Sequence, residues 1–212
     1  NALEHNILEK ANQIGKGRIV TLFQGLGFNV INVTLSDVPA REQAPAEPIA
    51  PHVAQELLCA DIEAIAAEKL FEVRSYECYL ARTEQIPNLM KEIAISREET
   101  FRAVGEGTGK AMDTDEYDSY YRHLILWDKV NKAFVGAYRL GIGWEIVDKY
   151  GLKGFYSDTL FKYKKEFAPY LKETVELGRS YVVPEYQKDP LALMLLIKGL
   201  MYTAIKYPQV RY

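Results

Sequence analysis

Residues 176–200 read "ELGRSYVVPEYQKDPLALMLLIKGL": an alternating strand, a polar turn and a helix that is apolar on almost every face. Such a helix has to be covered, and a strand leading straight into it implies that a sheet does the covering. The stretch therefore predicts a mixed α/β domain with a helix from Pro190 to about Lys206 packed on its sheet. Pro190 suits a first helical turn, and Asp189 before it suits an N-cap. The same strand carries Glu176 and Arg179, and "FVGAYRLG" places Arg139 inside a second strand. Charges within strands are costly to bury unless they pair. We therefore expect Arg139, Glu176 and Arg179 to be buried and bonded to one another or to Asp115 or Asp118. Positions i and i+3 face opposite sides of a regular strand, so Glu176 and Arg179 share a face only across a bulge.

The remaining chain divides by texture. Residues 3–14 have helical spacing, and 38–52, "VPAREQAPAEPIAPH", carry four prolines and read as a linker or an extended wrapping arm. Apolar spacing predicts a helix over 53–71. We expect 1–71 to be a helical segment with a Pro-rich linker, and 72–212 to be the main domain. In that domain 76–81 reads as a strand, 86–105 as a helix opening at Pro87, and 105–121 as a glycine-rich acidic loop. "RHLILWD" and "AFVGAYRL", joined by "KVNK", read as a hairpin. A helix is expected near 158–167, and the closing "PQVRY" reads as the start of another strand.

Composition excludes some functions. A net charge of −3 leaves no global basic field to hold nucleic acid. Cys59 and Cys78 lack a CxxC spacing, which predicts free thiols and no zinc site. The longest apolar stretch, Leu191 to Ile205, is about one turn too short to span a bilayer.

Several features leave two roles open. "MDTDEYD" reads either as a solvated acidic loop or as an anionic cup for a substrate ammonium; the spacings of a calcium loop are absent, so no metal is expected. The turn of Gln187, Lys188 and Asp189 before the helix reads either as an ordinary cap or as a phosphate seat. His123, opening "HLILW", reads as a hydrogen-bonded structural residue or as a base. No serine or cysteine sits in a nucleophile elbow, which weighs against covalent catalysis.

Five phrases occur together and in order between 101 and 187: "FRAVGEGTG", "DTDEYDSYYRHLILWD", "VGAYRLG", "GFYS…LF" and "ELGRSYVVPEYQ". Over residues 75–212 the chain resembles the ornithine-lipid type N-acyltransferases, often labelled hemolysins, of the GNAT superfamily, which are similar in layout to acyl-homoserine-lactone synthases. The resemblance implies an α/β (α+β) GNAT fold with a mixed central sheet flanked by helices, lacking the last core strand that the family places beyond "VRY". It implies transfer of a long-chain acyl group to the amine of an amino acid such as ornithine, glycine or lysine. The donor would be an acyl carrier protein thioester or acyl-coenzyme A, with no permanently bound cofactor. It implies a cytoplasmic protein with peripheral contact to the inner face of the membrane. By motif, Asp115 and Asp118 match the acidic pair that would hold the acceptor ammonium. Arg139 and Arg179 match arginines that would hold its carboxylate, and backbone N–H groups of Ser180, Tyr181 and Val182 would stabilise the oxyanion. Gln187, Lys188 and Ala192 fall on the phosphate-binding loop, where Pro190 replaces its first glycine and Asp189 repels a diphosphate. Glu176 is the first choice for the base and His123 the second. The rivals are a non-catalytic acyl-carrier or membrane-associated binding module and a lactone synthase.

Overall fold

The computed structural model describes residues 46–212, so the helix expected over 3–14 and the first part of the Pro-rich arm lie outside the described residues. Five strands follow one another in both chain and space: β1 (Lys69–Val73), β2 (Tyr76–Arg82), β3 (Arg122–Asp128), β4 (Ala133–Ile142) and β5 (Val175–Val182). Every neighbouring pair is antiparallel, so the sheet is not mixed among the described residues. The reason lies in the connections. β1–β2 and β3–β4 are tight hairpins, and no crossover helix joins a strand to a parallel partner within this stretch. Among the described residues β5 is an edge strand.

Helices cover both faces. α1 (Gln55–Ala64) and α2 (Pro87–Ala103) lie on one side, and α5 (Pro190–Lys206) lies on the other. Alternation along the strands sorts the core accordingly. Ile125, Trp127, Ala137 and Tyr181 face α1 and α2, while Leu124, Leu126, Leu140 and Ile142 face α5. The helix expected over 53–71 stops at Ala64, and Lys69–Val73 forms β1 instead. Residues 55–73 thus pack into the main core, through Leu58, Ile62 and Ile65, and the expected division at 71/72 does not coincide with the packing. Cys59 and Cys78 are free thiols.

The excursion between β4 and β5 differs from expectation. It contains α3 (Gly143–Tyr150), which the sequence reading did not foresee, and α4 (Ala168–Lys172) in place of the helix expected over 158–167. Between them the chain is held by short 3-10 turns and an aromatic cluster of Tyr117, Tyr121 and Phe155 with Ile146 and Leu171. "PQVRY" forms no strand, yet Arg211 and Tyr212 bond to the head of β5 through the carbonyl of Glu173.

α5 begins at Pro190, capped by Asp189, whose carboxylate accepts from Leu191 N–H at 2.9 Å. Ala192, Leu195, Leu196, Gly199 and Thr203 are buried on the sheet. Leu193, Met194, Ile197, Met201 and Ile205 are exposed. The expectation that the whole helix is covered therefore holds for its inner face only.

Candidate active site

β5 carries the feature that organises the site. Between Gly178 and Tyr181 it has one residue more than β4 opposite it, since Arg139 pairs with Gly178 and Ala137 with Tyr181. Arg179 takes up the extra residue at φ +49°, the left-handed region that a non-glycine residue enters only under local constraint. The bulge turns Glu176 and Arg179 to the same face, the one covered by α2. Gly136 on β4 makes room, because a Cβ there would lie 2.5 Å from the Tyr181 carbonyl oxygen.

Under this face lies a cluster of three arginines and three aspartates. Arg97 from α2 bonds Asp118 with both terminal nitrogens, at 3.0 and 2.7 Å, and its Nε is 3.1 Å from Asp113. Arg139 Nη1 donates to Asp115 at 2.5 Å and Asp118 at 3.0 Å. Arg179 Nε stands 3.2 Å from Asp113, and its Nη2 is 3.7 Å from Asp115. Arg97 and Arg139 are 1 % and 2 % exposed, so their charges persist only because each is paired. Burial alone would raise the Asp118 pKa; hydrogen bonds and charge from Arg97 and the charge of Arg139 override it and hold the pKa at about 2. Asp115 also caps the turn Glu116–Ser119 by accepting from Tyr117 N–H, and Asp118 returns the favour to Asp115 N–H. The acidic loop is thus turned inward and neutralised. It is not an open cup for an ammonium, which corrects the substrate-binding expectation for Asp115 and Asp118.

Glu176 stands apart from this cluster. One carboxylate oxygen accepts from the Tyr121 hydroxyl and from Tyr156 N–H at 3.1 Å. The other accepts from Ser157 N–H at 2.8 Å and from the Ser157 hydroxyl. Ser157 Oγ lies 2.7 Å from the Tyr163 hydroxyl, extending the chain outward. Burial, and then the neighbouring Glu176, push the Tyr121 phenol well above its ordinary pKa, so it remains a donor. None of Tyr121, Tyr156 or Ser157 was foreseen, although "GFYS" was among the phrases that stood out.

Two clefts open along β5, one on each side of the bulge. The first, of about 310 Å³, is lined by Tyr121, Arg139, Tyr156, Ser157, Glu176 and Leu177 among others. Only Nη1 of Arg139 is hydrogen-bonded, and its buried Nε has no partner. The second, of about 420 Å³, runs past Ser180, Tyr181 and Val182 to Gln187 and Asp189, between Phe101 and Val104 of the α2 end and Leu193 of α5. Its lining includes Glu106 and Asp189 and no Lys, Arg or His.

The remaining expected residues are placed as follows. Tyr181 points its ring into the core, bonded to Ser96 and the Ile93 carbonyl, so only its backbone borders the second cleft. Gln187 lines that cleft and donates to the Val182 carbonyl. Lys188 is exposed and does not line it, and Ala192 is buried against the sheet. His123 is fully buried on β3, 3.0 Å from Thr83 Oγ1, and lines neither cleft. Burial lowers its pKa to about 4, so near neutral pH it is an uncharged structural residue. Its second-choice role as a base is corrected.

A bulged strand, a cleft on either side of the bulge and a capped helix leading off the strand end together frame the site. A family described as "Acetyltransferase (GNAT) domain" matches residues 96–197, the stretch from Ser96 in α2 to Ile197 in α5. Over that stretch the chain carries a GNAT-type domain. Two relatives are similar beyond that stretch. A "Glycine N(alpha)-acyltransferase" of Phocaeicola vulgatus is 37 % identical over 177 residues, covering 78 % of this chain and 54 % of the relative. One of Bacteroides thetaiotaomicron with the same name is 34 % identical over 177 residues, covering 78 % of this chain and 52 % of the relative. The chain thus spans about half the length of these curated relatives. No solved structure matches the chain.

Proposed function

We propose that the chain carries the acyl-transfer site of an N-acyltransferase that joins a long-chain acyl group to the α-amine of an amino acid, forming an amide lipid. The observation that carries this reading is the meeting of two chemically different clefts at the Arg179 bulge. One offers a carboxylate and an arginine with unused donors, and the other offers an uncharged backbone edge.

The amino-acid acceptor occupies the first cleft. Its carboxylate takes the free donors of Arg139 in a two-pronged contact, and its nitrogen lies beside Glu176. The amine must lose a proton before it attacks, and Glu176 accepts it through the Ser157 or Tyr121 hydroxyl, since four donors already occupy its oxygens. The nitrogen then bonds to the thioester carbon, the C–S bond breaks, and the proton passes to the departing thiolate. The backbone edge at Ser180–Val182, through the N–H groups that alternate away from β4, receives the developing oxyanion. Glycine is the first acceptor to test because the two relatives bear that name; ornithine and lysine follow.

The donor arm occupies the second cleft. With no cation in the lining and Asp189 capping α5, the helix N-terminus is a poor seat for a diphosphate. The pantetheine arm of an acyl carrier protein, uncharged along the part that enters, suits this lining better than coenzyme A. Thiol release by the purified protein, measured with long-chain acyl carrier protein and acyl-coenzyme A against glycine, ornithine and lysine, tests both choices. Amine-dependent release with the carrier protein is expected. No release with any donor and amine would leave a non-catalytic binding module as the better account.

A further inference from the structure

We infer that the surface formed by residues 149–172 docks on an anionic lipid bilayer. This excursion between β4 and β5 holds six lysines against the two acids Asp158 and Glu166, in a chain whose net charge is −3. Among the described residues, Lys153, Lys164 and Lys165 are exposed and have no carboxylate within salt-bridge distance, whereas Lys162 and Lys172 pair with Asp158 and Asp148. Interleaved with them are Leu160, Phe161, Phe167 and Tyr170, each 52–66 % exposed. Large apolar side chains held open to water cost hydration free energy unless something covers them. Aromatic and aliphatic anchors among unpaired lysines match the chemistry of an interface, where the rings enter the headgroup boundary and the ammonium groups meet phosphates. No helix among the described residues is long and apolar enough to cross a membrane, so the contact is one of lying on the surface.

An acidic carrier protein is the competing occupant, and position argues against it. Leu160, Tyr156 and Ser157 border the first cleft, while the donor arm would enter through the second cleft, on the far side of the bulge. The basic surface therefore stands beside the acceptor and product, and an acylated product could pass directly to the bilayer. This orientation rests on the proposed function; the lipid contact itself does not.

Co-sedimentation with vesicles of phosphatidylcholine alone, or with phosphatidylglycerol added, reads the contact without any turnover. Binding is expected only to the anionic vesicles and should weaken as salt is raised. The double variant Lys164→Glu/Lys165→Glu should bind at least about tenfold more weakly, and Phe161→Ser should also lose binding. All three positions are exposed, so folding is unaffected. Thiol release with a short, water-soluble acyl thioester should be unchanged in the lysine variant. Absence of vesicle binding, or equal binding by wild type and the lysine variant, would overturn the inference. If the lysine variant loses carrier-protein binding and keeps vesicle binding, the surface belongs to an acidic protein instead. A wild-type protein that binds vesicles but releases no thiol would refute the acyl-transfer reading and leave the lipid contact standing.

Discussion

Arg97 stands at the centre of the buried charge cluster, yet in the sequence it sits inside "ISREETFRA", which has the polar look of a solvated helix face. A signal was present. Leu89, Ile93, Arg97 and Phe101 follow at intervals of four, so the arginine lies on the helix stripe that meets the core. Arg139, Glu176 and Arg179 were legible because a strand interior gives a charge nowhere to hide. What they bond to was less legible, since Glu176 turned to Tyr121 and Ser157, residues whose hydroxyls carry no spacing pattern. His123 supplies a prediction at this scale. Its pKa is about 4 in the fold against 6.5 when unfolded, so between those values the unfolded chain binds the extra proton. Stability is therefore full above pH 6.5 and falls as pH drops towards 4, by about 3 kcal/mol if His123 acts alone. Asp118, held at about 2, adds a second loss from near pH 4 downward, because its paired carboxylate must then be protonated. Urea unfolding at pH 7 and pH 5 should show a clear drop for wild type and a smaller one for His123→Gln. Equal drops in the two proteins would show that His123 is not the group responsible.

Among the elements, β5 shows where local rules stop short. Its alternation, its head-of-strand charges and its lead into α5 could all be read from residues 174–200. The bulge could be stated only as a condition for bringing Glu176 and Arg179 together, because the extra residue is defined by register against β4, a non-local relation. Gly136 is the other half of that relation. Its missing side chain lets the strand beyond the bulge approach, and Gly136→Ala would drive a methyl against the Tyr181 carbonyl. A loss of about 1–3 kcal/mol is expected, the usual cost of overpacking, together with weaker amine-dependent thiol release as the second cleft shifts. An unchanged melting temperature would contradict the close approach. The helix expected over 53–71 ends early, at Ala64, for a related reason. "KLFEV" pairs with β2 in antiparallel register, and pairing with a partner outweighs helical spacing in a segment of so few residues.

At the scale of the whole molecule, a sheet edge, a buried arginine–aspartate cluster and an aromatic wall combine to hold two clefts at one bulge. The charge cluster fixes the acidic loop and the guanidinium of Arg139. The Tyr121–Glu176–Ser157 chain fixes the 156–157 turn against β5. The α/β class and the charged positions on β4 and β5 were readable because both follow from hydrophobic period and misplaced charge; the antiparallel pairing among the described residues and the two helices after β4 depend on how the chain returns, which no local pattern states. Glu176 is the proton acceptor of the proposed reaction, and the turnover of Glu176→Gln tests that role most directly. The amide keeps the shape and still accepts hydrogen bonds through its oxygen, but it cannot take a proton at neutral pH. With long-chain acyl carrier protein and glycine, and with circular dichroism showing an intact fold, kcat should fall on the order of 10²–10⁴-fold while KM for glycine changes little. Wild-type turnover by Glu176→Gln would contradict the account, for the proton would then leave by a group other than the one this cleft is built around.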